Sequence, residues 1–217
     1  MSDIFNEVDE ELRREQLKKI WDRYGVLIIA LAVLFVVAVG GWRGYQWWEA
    51  KKAAEAGAAF DAAAVLNEQG NRQEAAAAFA KIAADGTANY RMLAKLREAA
   101  TLAHSDPKAA VAIYDAVASD RGLDQMQRDL AASRAAYILV DTISHDELKT
   151  RLEPLTAAGR PFRHSARGLM ALSAWRDNNA AEMRRWADMV LADADTPTNT
   201  RSQVEMLIAL AGGDGKS

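Results

Sequence analysis

The stretch Tyr24–Trp48, YGVLIIALAVLFVVAVGGWRGYQWW, decides how this chain is organised. Residues Gly25 to Trp42 carry no charge, and Val26 to Val39 is an unbroken run of Val, Leu, Ile, Ala and Phe. At a rise of about 1.5 Å per residue, Gly25–Trp42 makes a helix of roughly 27 Å, close to the roughly 30 Å hydrocarbon thickness of a bilayer. Trp21 and Tyr24 flank one end, and Trp42, Tyr45, Trp47 and Trp48 flank the other. Amphipathic rings anchor a spanning helix at those two depths. The reading is a transmembrane helix over 25–47, a charged segment 1–24 before it, a long domain 48–211 after it, and a disordered tail 212–217.

Two other readings compete with an anchor. A cleaved signal peptide has a short basic start, 7 to 15 apolar residues and a small-residue cleavage site. Ala38-Val39-Gly40 resembles such a site, but the preceding segment carries Asp3, Glu7, Asp9, Glu10, Glu11, Glu15 and Asp22. A buried helix of a soluble protein needs apolar partners on every face, which the alanine-rich remainder does not obviously supply. An uncleaved anchor fits best. Arg13, Arg14, Lys18, Lys19 and Arg23 lie before it, against Arg43, Lys51 and Lys52 after it. Basic residues favour the inside, so the N-terminus is expected in the cytoplasm and the long domain outside, in a periplasm if the cell has two membranes.

Composition narrows the partners. The chain of 217 residues has a formal charge of -3, which gives no general attraction for nucleic acid. There is no cysteine, so disulfides, thiol nucleophiles and cysteine-bound zinc are excluded. Abundant alanine, four prolines and little β-branched alternation point to an all-α protein.

In order, residues 3–23 read as a charged helix with Ile4, Phe5, Val8, Leu12, Leu17, Ile20 and Trp21 along its apolar side. Past Trp48 the chain has no breaker but Gly57 until Gly70, so the anchor helix is expected to run on into the first helix of the domain. Asn67–Asn71 then makes a turn with Gly70 past the helix end. A second helix, RQEAAAAFAKIAA, stops at Asp85-Gly86, completing an antiparallel hairpin. TANYRMLAKLREAATLAH and PKAAVAIYDAVASD repeat the arrangement, with Asp106 as N-cap and Pro107 at the first helical position. A third pair is DQMQRDLAASRAAYILVDTI and HDELKTRLEPLTAAG, capped by Ser144 or Asp146, with Pro154 inside its second helix. A fourth is RHSARGLMALSAWRDN and AAEMRRWADMVLADAD, capped by Asn178 or Asn179, and a terminal helix follows Thr196-Pro197.

Ala75 and Ala110 are 35 residues apart, as are Phe79 and Tyr114, and Trp186 lies 72 residues beyond Tyr114. A small residue four before an aromatic in each second helix, at that period, resembles the tetratricopeptide repeat. Alanine lets the helices of a hairpin approach, and the aromatic fills the gap to the next hairpin. The family's usual first-helix Trp and Leu-Gly positions hold Ala59, Ala62 and Ala63 in one unit and Ala94, Arg97 and Glu98 in the next, so the repeats are degenerate.

Chemistry is sparse. His104, His145 and His164 lack the i,i+4 spacing of a helical metal site, and His104 and His145 fall at turns, where solvated or capping roles are expected. Ser144-His145-Asp146 is no triad, because triads assemble from distant segments. No phosphate-binding glycine loop or GxSxG motif is present. The reading is non-enzymatic, with no catalytic residue, cofactor, metal or small-molecule substrate. What remains is surface: Arg163, Arg167, Trp175, Arg184 and Arg185 form an Arg/Trp-rich tract of the type enriched at protein-binding hot spots. The competing reading has these arginines solvated and the tryptophans in the core.

A charged N-terminus, one anchor ending in GWRGYQWW, and about four degenerate repeats together resemble the bacterial tetratricopeptide-like ancillary subunits of the Sec translocon. The closing segment AWRDNNAAEMRRWADMVLADADTPTNTRSQVEMLIAL is similar to that family's end, with Val204, Met206, Leu207 and Ile208 as apolar positions of the terminal helix. The resemblance implies an inner-membrane protein that associates with translocon subunits and offers a periplasmic repeat surface to chaperones or secreted clients. Two alternatives stand beside it: an envelope or cell-division scaffold with one fixed partner, and a regulatory subunit of an envelope enzyme.

Overall fold

The computed structural model describes residues 3–213, with side chains from Arg14 onward except those of residues 15–17, 20 and 213. All regular structure among them is helical. The described residues form two units divided between Ala54 and Glu55, inside the first helix α1 (Asp3–Glu68).

In the first unit α1 continues through the whole apolar stretch. Val26, Leu34, Phe35 and Val37 are among its many exposed side chains. Water would penalise so much bare apolar surface, and a bilayer would not. The segment is thus a candidate membrane span by length and composition. The expected apolar side formed by Ile4, Phe5, Val8, Leu12, Leu17 and Ile20 lies outside the described side chains.

The second unit is an array of hairpins. α1 turns at Gly70, whose φ of +85° is the left-handed conformation that glycine adopts without strain. α2 (Arg72–Asp85), α3 (Ala88–Leu102), α4 (Pro107–Ser119) and α5 (Gln125–Leu139) follow. Local chemistry sets the boundaries. The Asp106 carboxylate accepts from the Ala109 N–H at 3.0 Å, with Pro107 opening α4. Asp124 and Gln127 make a reciprocal capping box at α5.

α6 (His145–Leu152) carries the same box, Ser144 with Glu147, which settles the cap on Ser144. It is shorter than expected. Pro154 does not sit within it: the α-helix ends at Leu152, and Glu153–Leu155 form a single 3-10 turn. Proline has no N–H to give an interior helical bond, so the ladder stops before it. α7 (Arg163–Arg176), α8 (Ala180–Ala192) and α9 (Thr198–Gly213) complete the array. Asn179 caps α8, accepting from Glu182 N–H at 3.1 Å, while Asn178 takes a left-handed φ of 56°. α9 extends into the expected tail as far as Gly213, and residues 214–217 lie outside the described residues.

Three core clusters run along the array. Phe79 with Ala63, Ala75 and Ala94 forms the first, Tyr114 with Ala99, Ala110 and Ala131 the second. Trp186 with Leu148, Leu152, Met170, Met183 and Val204 forms the third and largest. Alanine at the close contacts lets the hairpins pack around one fully buried ring in each of the first two clusters, with the partly buried rings of Phe60 and Tyr90 against the first.

Candidate protein-binding groove

The five repeat positions Ala75, Phe79, Ala110, Tyr114 and Trp186 are all buried. Phe79 meets Phe60 edge-on at a centroid distance of 5.2 Å. The Tyr114 hydroxyl lies 3.5 Å from Leu96 O, and the Trp186 indole donates to Glu182 Oε2 at 3.0 Å. The aromatic anchors Trp21, Tyr24, Trp42, Tyr45, Trp47 and Trp48 are exposed. Cations lie over several of them: Lys52 over Trp48 at 3.8 Å, Lys51 over Trp47 at 5.7 Å and Arg23 over Tyr24 at 5.6 Å. A cation–π pair of this sort keeps the charge in water while the ring faces the apolar side.

The arginine tract does not form one face. Arg167 is buried and donates to Thr156 O at 3.0 Å and to Asp193 Oδ2 at 2.9 Å. Arg163 reaches the same carboxylate at 2.9 Å and Asp195 at 3.1 Å. The Arg163 hydrogen bond holds the Asp193 carboxyl well below the usual carboxylate range, and Asp193 in turn raises Arg163. These two arginines therefore act inside the fold, joining α7 to the end of α8. Arg184 is exposed, Arg185 pairs with Glu182 at 3.1 Å above the Trp186 ring, and Trp175 is partly exposed.

Two histidines are internal. His145 stands at a turn as expected but is buried rather than solvated, because α7 and α8 close over it. Its backbone N–H donates to Asp177 Oδ2 at 2.7 Å, and its Nδ1 lies 2.8 Å from Ser173 Oγ. Ser173 Oγ also donates to Met170 O at 3.1 Å. Nε2 faces Glu182 at 3.9 Å. Ser173, His145 and Glu182 have the composition of a nucleophilic relay, yet Ser173 has no exposure at all and its proton is committed to a carbonyl. No substrate can reach it in this conformation. His164 repeats the pattern against Thr196 Oγ1 at 2.9 Å, Thr196 itself donating to Val190 O. Among the described residues no cluster has the ligands for a metal.

A groove of about 270 Å³ is bordered by α5, α7 and α9. Tyr137 comes from α5 and Val140 from its C-cap, Gly168 and Leu172 from α7, and Gln203 and Met206 from α9. Gly168 permits the close approach: a Cβ there would stand 3.3 Å from Thr200 Cγ2. Tyr137 is 51% exposed and Met206 63%. The sequence places Val204, Met206, Leu207 and Ile208 in one apolar set. In the structure Val204, Met206 and Leu207 all line the groove, but Val204 and Leu207 are buried and belong to the core, whereas Met206 is exposed.

The exposed large apolar side chains of the second unit follow one rule. Val65, Leu93, Met126, Tyr137, Trp175, Met206 and Leu210 lie on α1, α3, α5, α7 and α9. Among the described residues none lies on α2, α4, α6 or α8. One helix of each pair thus carries all the sticky surface.

Compared with known proteins, residues 18–182 match the family model described as Tetratricopeptide repeat-like domain. No curated protein and no solved structure matches the chain.

Proposed function

The chain belongs to the tetratricopeptide repeat-like family, and from that premise we propose that it is a non-enzymatic, single-pass inner-membrane protein whose second unit binds other proteins. The observation that carries this reading is the confinement of exposed apolar side chains to α1, α3, α5, α7 and α9, with the groove between the last three. Apolar side chains gathered on one set of helices, rimmed by polar ones, are what a protein-binding face requires.

Within that reading the protein is an ancillary subunit of the Sec translocon, its N-terminus cytoplasmic and its repeat domain periplasmic. The resemblance of the anchor and closing segment to that family supports it, as does the excess of basic residues before the anchor. Tethering is part of the mechanism: holding a weak binding face beside the exit site raises its effective concentration toward emerging chains. Gentle detergent extraction and affinity purification should recover translocon subunits and periplasmic chaperones. Recovery of a single unrelated envelope protein would support the scaffold reading instead. An aggregation assay with an unfolded secreted substrate separates the two further, since a scaffold gives no protection.

A further inference from the structure

We propose that Met206 is a reversible oxidation site, and that its conversion to methionine sulfoxide by a hypohalous acid turns one wall of the groove from apolar to polar. This rests on the protein-binding reading above and adds a means by which that binding is switched off. An outward-facing domain, as proposed there, meets an external oxidant directly.

The chain has no cysteine, so thioethers are its softest nucleophiles. The methionines among the described residues differ sharply in access. Met170 and Met183 are 0% and 1% exposed and belong to the largest core cluster. Met92 and Met189 are half-buried. Met126 and Met206 are 61% and 63% exposed. An oxidant from solvent therefore meets these two sulfurs first, and the sulfurs on which the core depends last.

The two open positions have different surroundings. Met126 is the second residue of α5 and is not part of the groove lining. Met206 shares that lining with Tyr137, Leu172, Val204 and Leu207. α9 is held to the array by Val204 and Leu207, buried in the core, and by Arg201, which donates to Leu191 O at 2.9 Å. None of these contacts uses the Met206 thioether, so a change there alters the groove without loosening the helix.

The sulfur lone pair attacks the chlorine of hypochlorous acid and releases hydroxide. Water then adds to the chlorosulfonium sulfur, and chloride and two protons leave, one of them neutralising the hydroxide. Thioether and hypochlorous acid thus give sulfoxide, chloride and a proton; sulfur loses two electrons and chlorine gains them. The new S=O oxygen is a strong hydrogen-bond acceptor where an apolar sulfur stood. Covering it with an apolar partner strips its water and supplies no donor, which opposes binding. Methionine sulfoxide reductase, drawing on thiols, restores the thioether.

The test uses the full chain in nanodiscs of saturated phosphatidylcholine, treated with limiting hypochlorous acid and quenched. Peptide mass mapping reads the sites, and labelled carboxymethylated α-lactalbumin, a permanently unfolded chain, reads binding. Met126 and Met206 should reach half oxidation at about tenfold less oxidant than Met170 and Met183. Probe affinity should fall about tenfold as Met206 converts, with circular dichroism unchanged, and should return after treatment with reductase and dithiothreitol. Whatever its starting affinity, Met206→Leu should lose less than about twofold on oxidation, whereas Met126→Leu should lose as much as the unsubstituted chain. Oxidation of Met206 no faster than that of Met170 overturns the proposal, as does an equal loss of affinity in oxidised Met206→Leu. Failure of the unoxidised chain to hold the probe overturns the protein-binding reading and the switch with it; the mass map needs no probe, so the two failures are told apart.

Discussion

Arg167 reaches Asp193 across 2.9 Å, joining the middle of α7 to the residue that ends α8. Arg163, one turn earlier on α7, reaches the same carboxylate, and Arg201 of α9 donates to Asp193 O at 3.1 Å. One short acidic residue thus gathers three helices at the base of the groove-bearing region.

Replacing that carboxylate by a neutral isostere, Asp193→Asn, leaves Arg167 without its counter-charge and Arg163 with only the exposed Asp195. The thermal midpoint should fall by roughly 5 °C or more. Arg167→Lys should also destabilise, because a lysine cannot bond Thr156 O and Asp193 together as the guanidinium fork does. Differential scanning calorimetry of both variants checks this. An unchanged midpoint in Asp193→Asn would show the junction to be ornamental.

The rings at the repeat positions should differ sharply in what their parts contribute. Phe79 is essentially unexposed and lies in a cluster otherwise built largely of alanines, so Phe79→Ala should cost about 3–5 kcal/mol in urea unfolding. Tyr114→Phe keeps the ring and loses only a long hydrogen bond of 3.5 Å, and should cost under about 1 kcal/mol.

These positions were legible in the sequence because they depend on local signals: a period, a cap, a proline. Asp106 and Pro107 announce the start of α4 within three residues of the bonds they make. The fates of Arg163, Arg167 and His145 were not legible, since their partners Asp193 and Ser173 lie 26 to 30 residues away. Composition alone cannot tell an arginine at a binding face from one locked to a distant aspartate. The signal was present only as Asp193 and Asp195, two acids at the end of the paired helix. The groove escaped for a related reason: Met206 and Val204 are both apolar, and only the packing of α9 on α7 decides which faces out.

Stability should depend on pH through His164. Burial, and next the adjacent Arg163, hold its folded pKa below the ordinary value of 6.5. The unfolded chain therefore binds the proton more readily, and stability is lost as pH falls below about 6.5 toward the depressed folded value. The thermal midpoint should drop between pH 7 and about pH 5, and His164→Gln should flatten that slope. A wild-type slope that persists in the variant would assign the effect elsewhere.

Gly168 gives a steric test of the groove. Gly168→Ala needs only a few tenths of an ångström from Thr200 Cγ2 and should preserve both folding and partner binding. Gly168→Leu should spread α7 from α9, with partner affinity falling about tenfold or more while the helical signal is kept. Equal affinity in the two variants would remove the groove from the account.

The most direct measurement is site-specific photo-crosslinking in living cells, with the crosslinker placed in turn at Tyr137, Met206 and Arg184. Tyr137 and Met206 border the groove, whereas Arg184 is exposed on α8. The account predicts adducts with translocon subunits or secreted chains from Tyr137 and Met206, and none from Arg184. Adducts from Arg184 alone, or the same adducts from all three positions, would contradict it.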